Sequence, residues 1–347
     1  MTVKVEHKNN RIKKFTFFIG IDISRNKLDY AVLHGNVFLT HDQTKNESSE
    51  ILDFLTELMK VPNLVISKTV FCMEQTGIYS NHLLDCLKKI KANIVIESAL
   101  HIRNSLGNIR GKYDKIDAIR IAKYAYKCRD ELHLGTSRRS VIQQLSHLIS
   151  LRSRLVELQK ALNTPLREQG LFLKKSIAQQ NTKLCSNSIN ALKKDLDEIN
   201  STIAYVTESD EHLKRLMTLI TSVPGVGPVT ATQIIVSTNE FKNISNPKKF
   251  ACYAGVAPFK KESGTISGKS KISRMANRKI KSLLHIAAMI SIRSDEGIKS
   301  YYERKTSGEG KPKMAVLNPV RYKLILRIFA CLNQDRCYEK DYKRVSG

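Results

Sequence analysis

The sequence lacks the cysteine pairs and the long apolar runs that define two large classes of protein. Its seven cysteines are odd in number, scattered and never spaced as C-x-x-C, which argues against a disulfide framework and a zinc site. No apolar run approaches the length of a membrane-spanning helix. The run that follows the basic N-terminus is short and ends at Asp22, unlike a signal peptide. We therefore expect a cytoplasmic protein with reduced thiols.

Acidic residues are scarce relative to basic ones. The 347 residues include 58 Lys and Arg but only 32 Asp and Glu, a net charge of +26. Residues 241–347 hold 24 Lys and Arg against 8 Asp and Glu, so most of the excess lies in less than a third of the chain. This concentration indicates binding to a polyanion. No basic stretch has the aromatic face of a membrane-surface helix, so nucleic acid is the favoured polyanion.

A β-branched and aromatic run, Phe17–Ser24, contains one carboxylate, Asp22. Such a run predicts a buried strand, in which an ionised Asp is costly unless a cation meets it. The alternative is a strand that ends in an Asx turn. The sequence predicts, in order, strands at Phe15–Ile23, Leu28–Leu33 and Val37–Thr40, a helix at Asn46–Lys60 with Asn46 as its cap, a strand at Thr69–Glu74, a helix at Ile78–Ile90 and a strand at Asn93–Glu97. This order predicts an α/β domain of the ribonuclease H type.

Further carboxylates follow at comparable positions. Glu74 ends a predicted buried strand, and Asp114 and Asp117 share one face of a predicted helix at Tyr113–Lys127. If these three converge with Asp22, their repulsion requires cations, which is the logic of a two-metal Mg²⁺ site for phosphate-ester chemistry. The alternative for Asp114 and Asp117 is a solvated helix start near the positive end of the helix dipole.

From about residue 137 the pattern becomes helical. Two stretches have apolar residues that step mostly by three and four, and Pro165 and Gly170 interrupt the first. They consist of Val141, Leu148, Leu151, Leu155, Leu158 and Leu162, and of Ile189, Leu192, Leu196, Ile199, Ile203 and Val206. Two antiparallel helices in a coiled-coil hairpin, or an ordinary helical bundle, would explain both as a spacer or dimerisation element. We therefore expect a catalytic domain at 1–130, a coiled-coil spacer at 137–210 and a mostly helical C-terminal domain at 211–347.

A glycine turn at residues 223–228 contains Gly225 and Gly227 and joins predicted helices at His212–Ser222 and Val229–Ser237. The pattern is typical of a helix-hairpin-helix, whose backbone N–H groups hold a DNA phosphate without reading sequence. The alternative is a plain connection between two helices.

A predicted Gly/Ser loop, Glu262–Gly268, precedes an amphipathic helix at Asn277–Ile292. Its glycines would let the backbone approach a phosphate, and nearby cations would stabilise a developing phosphorane. Ser263 is a candidate nucleophile, although most serines in such loops are phosphate contacts or turn formers. The cations that we expect to bind nucleic acid are Lys260, Lys261, Lys269, Lys271, Arg274 and Arg278.

These motifs together resemble those of the DEDD-motif transposases of bacterial insertion sequences, the IS-one-ten and IS-eleven-eleven group, over nearly the whole chain. The acidic motifs are Gly20-Ile21-Asp22, Glu74-Gln75-Thr76-Gly77 and Asp114-Lys115-Ile116-Asp117-Ala118. The C-terminal motifs are Pro224-Gly225-Val226-Gly227, Tyr253-Ala254-Gly255-Val256-Ala257-Pro258 and Ser263-Gly264. Glu262 stands where the family usually has a second serine, and Ala276 where it has a glycine, so Ser267 is kept as a second candidate nucleophile.

The resemblance implies a RuvC-like N-terminal domain whose four carboxylates bind Mg²⁺, and a C-terminal domain in which Ser263 forms a covalent phosphoserine with DNA. It also implies double-stranded DNA at the element ends and target as substrate, a structured guide RNA as partner, a homodimer or homotetramer, and a location at the bacterial nucleoid.

Three other functions remain open from the sequence. A structure-specific nuclease would use metal-activated water with the same carboxylates. An actin-like kinase would use Asp22-x-Ser-x-x-Lys27 as a phosphate loop, but no Gly-rich adenosine-binding stretch follows. A non-enzymatic architectural DNA or RNA binder would need none of the carboxylates.

Overall fold

The computed structural model describes residues 15–106, 114–135, 138–263, 266–272 and 276–340. The chain forms two compact units, which divide between Ser137 and Arg138. Within the described ranges, no helix is both long enough and apolar enough to cross a lipid bilayer. The first unit is α/β and the second is mostly helical, in agreement with the fold class predicted from the sequence. The helices predicted as a separate spacer lie in the same compact unit as the C-terminal helices.

The first unit is built on a five-stranded mixed sheet. Its elements are β1 (Phe17–Ile23), β2 (Lys27–His34), β3 (Val37–Lys45), α1 (Ser48–Leu58), β4 (Thr69–Glu74), α2 (Asn81–Lys89), β5 (Asn93–Glu97), α3 (Ala99–Leu106) and α4 (Asp114–Lys127). The strand order is β3-β2-β1-β4-β5. The first three strands are antiparallel, whereas β4 is parallel to both β1 and β5. The predicted meander and the helix–strand alternation after it are present in this order.

The central strand β1 is buried on both faces, which explains its nearly continuous apolar sequence. Ile19 and Ile21 pack in a core with α1 and α2, and Phe18 packs in a second core with α3 and α4. Asn46 does not cap α1 as predicted. Its side-chain amide instead donates to the carbonyl oxygens of Ser24, at 3.0 Å, and Tyr79, at 2.9 Å, because the loop before α1 lies beside both segments.

The second unit is built mainly of helices, with one pair of short strands. Its elements are α5 (Ser140–Phe172), α6 (Lys175–Ser209), α7 (Glu211–Thr221), α8 (Pro228–Thr238), α9 (Pro247–Tyr253), β6 (Pro258–Ser263), β7 (Ile266–Ile272), α10 (Arg278–Ser294), α11 (Glu296–Glu303) and α12 (Lys313–Gln334). Helices α7 to α12 and the base of α5 enclose one apolar core.

Helices α5 and α6 form the predicted antiparallel pair, with hydrogen bonds from Arg152 Nε to Asn200 Oδ1 at 2.7 Å and from Asn181 Nδ2 to Gln169 Oε1 at 2.9 Å. Two details of the prediction are wrong. Helix α5 continues through Pro165, since a proline removes only one backbone hydrogen bond and the partner helix supports the remainder. Leu151 and Leu158 of the predicted seam are exposed, whereas Ile142 and Leu145 are the buried residues of this helix.

Arg139, immediately before α5, joins three segments of the second unit. Its guanidinium donates to Asp210 Oδ2 at 2.7 Å and to Glu240 Oε1 at 2.9 Å. Asp210 also caps α7 by accepting from the Leu213 backbone N–H at 2.9 Å. The Glu240 side chain is fully buried and lies in a left-handed turn, where Asn239, Glu240 and Phe241 have φ of 51°, 58° and 63°. Non-glycine residues rarely adopt this conformation, so the ion pairs hold a strained turn in place.

The ion pairs lower the pKa values of both acids, Asp210 and Glu240. The hydrogen bond from Arg139 lowers the pKa of Asp210 to about 2. Burial alone would raise the pKa of Glu240, but hydrogen bonds from Arg139 and Lys242 bring it below its ordinary value. Because the native pKa of Asp210 is lowered, its contribution to stability is complete above the ordinary carboxylate pKa and is lost as pH falls toward 2.

We expect Arg139→Gln to lower the free energy of unfolding by about 2–3 kcal/mol near neutral pH, because it removes charged hydrogen bonds from a buried carboxylate. Urea unfolding at several pH values measures this, and the variant should lose less stability than the wild type between pH 4 and pH 2. Arg215→Gln is the matched control, since its ion pair with Asp335 is exposed at both ends. Equal stability of Arg139→Gln and the control would contradict the assigned role.

Candidate active site

Two of the carboxylates predicted from the sequence, Asp22 and Glu74, lie at the carboxyl ends of neighbouring strands of the first sheet. Asp22 is near the end of β1, opposite Asp29 of β2. Glu74 is the last residue of β4 and lies opposite Glu97, the last residue of β5. Because β1, β4 and β5 are parallel, three carboxylates occupy the carboxyl ends of adjacent strands, where ligands of open α/β sheets commonly bind.

Gly20 allows helix α4 to lie directly on β1. A Cβ atom at this position would come within 2.2 Å of both the Ala118 carbonyl oxygen and the Ala122 backbone nitrogen. Both contacts are with backbone, so a side chain could be accommodated only if the helix moved. Gly20 and Asp22 share a face of the strand, and Asp117 immediately precedes Ala118. The close packing therefore brings Asp117 to the face of the sheet that carries Asp22.

The carboxylates are near enough for their charges to influence one another. Burial raises the pKa of Glu74, and the negative charges of Asp22 and Asp117 raise it further. Arg120 partly offsets the cluster, because its Nη1 donates to Asp117 Oδ1 at 2.7 Å. Asp114 is the first residue of α4, one turn before Asp117, and its side chain is outside the described part of the chain. The structure therefore brings Asp22, Glu74 and Asp117 together.

The chemistry of this donor set suits a hard divalent cation. Carboxylate oxygens are the ligands that Mg²⁺ prefers, and the mutual repulsion felt by Glu74 is what a bound cation would relieve. Among the side chains that the structure describes, no three His, Cys, Asp or Glu residues are arranged to hold a metal ion. The charge and chemistry of the site fit a divalent cation, although its described carboxylates are not arranged as a ligand set.

Sequence reasoning missed Glu97, which adjoins the cluster. Glu97 Oε2 accepts a hydrogen bond from the Tyr124 hydroxyl at 2.9 Å, and its Oε1 lies 3.2 Å from His101 Nδ1. Its position at the end of a predicted strand, like that of Glu74, was the available signal. Asn46 was assigned a different role, yet it links the loop after β1 to the loop after β4 and so supports the segments that follow Asp22 and Glu74.

The predicted serine loop is a β-hairpin. Ser263 is the last residue of β6 and pairs with Ile266, the first residue of β7, so most of the residues predicted as loop are in strands. The Gly/Ser content suggested a loop, but the two segments satisfy each other's backbone groups by pairing. Lys260 and Lys261 lie in β6, Lys269 and Lys271 in β7, and Arg278 is exposed at the start of α10. The side chains of Ser263 and the four lysines, and all of Arg274, are outside the described residues.

The two glycines of the turn between α7 and α8 have different environments. Gly225 has φ +89°, and a Cβ there would come within 2.5 Å of the Ala287 carbonyl oxygen and 2.8 Å of the Ser291 backbone nitrogen of α10. Close packing against α10 thus explains why position 225 is a glycine. Gly227 precedes α8, is exposed and has open space around it, and Pro228 is the first residue of that helix. Of the two, Gly227 has the exposure that a phosphate contact requires.

Comparisons with known proteins match both units. Residues 19–174 match the family model of DEDD transposases of the IS110 type, and residues 217–303 match that of the transposase IS116/IS110/IS902 family. The chain is similar to the pilin gene-inverting protein of Moraxella bovis, at 26% identity over 93% of this chain and 98% of that protein. It is also similar to the IS900 uncharacterized 42 kDa protein of Mycobacterium paratuberculosis, at 30% identity over 37% of this chain and 32% of that protein.

The two matched regions and the carboxylate cluster define an enzyme of DNA recombination. The chain belongs to the IS110 family of DEDD transposases.

We expect Gly20→Ala to destabilise the protein by about 1–3 kcal/mol, because the added methyl group must displace α4. We also expect it to lower DNA recombination per folded molecule, since α4 positions Asp117. Urea unfolding and a strand-exchange assay on DNA carrying the element ends measure the two effects. The control is Gly170→Ala in α5, where an added Cβ meets open space. Wild-type stability and activity in Gly20→Ala would refute the positioning role of this contact.

Proposed function

We propose that this protein is the transposase of a bacterial insertion sequence that cleaves and exchanges DNA strands through a covalent bond to Ser263. The observation that carries the proposal is the convergence of Asp22, Glu74 and Asp117, which Gly20 makes possible. The match of residues 217–303 to the transposase family supports a role in the same reaction for the hairpin that contains Ser263.

The first unit acts as a RuvC-like domain of the ribonuclease H type, and the order of its strands and helices supports this assignment. Asp22, Glu74, Asp114 and Asp117 would hold Mg²⁺. A bound Mg²⁺ would polarise the scissile phosphodiester and offset its charge. Arg120 holds Asp117, and the backbone of α4 against Gly20 fixes the helix that carries both acids.

Ser263 supplies the nucleophile. Its Oγ forms a bond to phosphorus while the bond from phosphorus to the leaving deoxyribose oxygen breaks, and the serine proton ends on that leaving oxygen. The phosphoserine retains the energy of the broken phosphodiester. A deoxyribose hydroxyl of the second strand then attacks the phosphorus, and the bond from phosphorus to Oγ breaks. The proton of that hydroxyl moves to Oγ and restores the serine. Strand exchange is completed without an external energy source.

The remaining roles follow the predicted division into domains 1–130, 137–210 and 211–347. Lys260, Lys261, Lys269, Lys271, Arg274 and Arg278 bind nucleic-acid phosphates, together with the turn that contains Gly225 and Gly227. Helices α5 and α6 act as a coiled-coil spacer between copies in a homodimer or homotetramer. A structured guide RNA selects the donor and target DNA in the bacterial cytoplasm, at the nucleoid.

The relative from Moraxella bovis favours exchange of strands over simple cleavage. Its name describes it as a gene-inverting protein, and its similarity covers nearly the whole of both chains. Inversion of a DNA segment requires that broken strands be rejoined to new partners. A nuclease that uses activated water would leave free ends instead.

We expect the wild-type protein with Mg²⁺ to form a covalent adduct with a nicked suicide DNA substrate, and Ser263→Ala to form none, because the variant lacks the attacking oxygen. Denaturing electrophoresis detects the adduct, and Ser267→Ala is the matched control on the opposite strand of the hairpin. An adduct in Ser263→Ala that is lost in Ser267→Ala would move the nucleophile to Ser267. Cleaved ends without any adduct in the wild type would favour the nuclease.

An assay with the same nicked DNA substrate distinguishes a catalytic role of the protein from a purely architectural one. Glu74→Gln removes one carboxylate charge without changing the size of the side chain. It should bind DNA as the wild type does and yield neither adduct nor strand exchange. Full rearrangement of DNA by Glu74→Gln would show that the carboxylates have no catalytic role.

We expect a defined, structured RNA to copurify with the protein when it is expressed together with the DNA of its element, because guide recognition requires a stable complex. Sequencing of the bound nucleic acid after nuclease trimming measures this. The control is the protein expressed without the element. Random fragments in both samples would argue for non-specific binding by the net charge of +26.

A further inference from the structure

Arg321 of α12 is a buried cation that has no acidic partner among the described side chains. Only 6% of the residue is exposed. Its Nη2 donates to His285 Nδ1 at 2.6 Å, and its Nη1 lies 3.4 Å from Asn318 Oδ1. Its Nε is buried and has no hydrogen-bond partner. Among the described residues, no carboxylate forms an ion pair with this guanidinium.

A buried guanidinium with only neutral partners is energetically costly, because it has left water without gaining a counter-charge. Burial accordingly lowers the pKa of Arg321. Arg327, on the same helix, shows the usual solution: its Nη1 donates to the buried carboxylate of Asp295 at 2.7 Å. Within the described part of the chain, Arg327 thus has a carboxylate and Arg321 has none. An anion that is not part of the folded chain would satisfy Arg321.

His285 adds a second donor to this cluster. Because Arg321 donates to Nδ1, that nitrogen carries a lone pair and the ring proton is on Nε2. Burial and the positive charge of Arg321 lower the pKa of His285, which agrees with the neutral ring that this hydrogen bond requires. His285 and Asn318 are both partly exposed, which places the guanidinium one side chain beneath the surface.

The cluster is linked to the segment that leads into the serine hairpin. Asn318 Nδ2 donates to the Val256 carbonyl oxygen at 2.7 Å, and Val256 lies two residues before the start of β6. The unit that contains it carries most of the positive charge of the chain. An anion bound by Arg321 would thus lie beside the base of the hairpin, within a strongly basic unit.

We propose that Arg321, with His285, forms a binding site for a phosphodiester group of nucleic acid. The planar guanidinium matches the geometry of phosphate oxygens, and a phosphate would supply the negative charge that the fold withholds. The site is independent of the identity of the nucleophile, since it requires only that the C-terminal unit binds nucleic acid.

The test compares Arg321→Met with the wild-type full chain in two measurements. Binding of a fluorescein-labelled DNA duplex is followed by anisotropy at increasing KCl concentration, and thermal unfolding is followed in chloride buffer without DNA. The expected result is about tenfold weaker DNA binding and a melting temperature no lower than that of the wild type. The slope of the logarithm of the binding constant against the logarithm of the KCl concentration, here called the salt slope, should be smaller in magnitude by about 0.9. Arg215→Gln is the charge-matched control, since Asp335 already pairs with Arg215.

The salt slope decides the outcome. A slope reduced in Arg321→Met but not in Arg215→Gln supports the phosphate site, whatever the melting temperature. An unchanged slope in the folded variant overturns it and makes Arg321 a structural residue only. If Arg321→Met does not fold, Arg321→Gln gives the same test, because its amide can still donate to His285 Nδ1 while the charge is removed.

Discussion

The contact between Gly20 and α4 is the constraint on which the geometry of the first unit depends. A helix backbone at van der Waals distance from a strand leaves no room for even one methyl group. This close contact places Asp117 on the face of the sheet that carries Asp22. There the charge of Asp117 adds to the effect of burial in raising the pKa of Glu74. Gly225 has a comparable role in the second unit, where it lets a turn pack against the backbone of α10.

Much of the first unit could be predicted from local patterns. The buried run around Asp22 and the strand that ends at Glu74 are recognisable because burial on both faces gives continuous apolar sequence. The strand at Asn93–Glu97 lies at the edge of the sheet and is recognisable from its short β-branched run. The role of Gly20 was not predictable in this way. A glycine in a strand indicates close approach only after the element that approaches it is known, and α4 is about a hundred residues away in sequence.

The failures in the second unit have a similar cause. The seam of α5 was placed on Leu151 and Leu158, but burial of Ile142 and Leu145 is decided by packing against the other helices of the core. The hairpin at Ser263 was interpreted as a loop because its residues are small and polar, whereas pairing between two strands is a property of both segments together. Arg321 gave no sequence signal at all, since one arginine in a basic helix resembles any other until its burial is known.

The two units retain uncompensated charge of opposite sign. In the first, burial and then the neighbouring carboxylates raise the pKa of Glu74; in the second, Arg321 is buried with no carboxylate beside it among the described side chains. Each arrangement opposes folding of the free chain, and in the proposed roles each is relieved by a different ligand. A DNA phosphate would lie against Arg321, and a divalent cation would offset the charge of the carboxylates. Because a ligand that binds only the folded state stabilises it by mass action, DNA and metal should stabilise the units that handle them. On the proposed function, the charges that weaken the free protein are the ones that favour its complex with DNA.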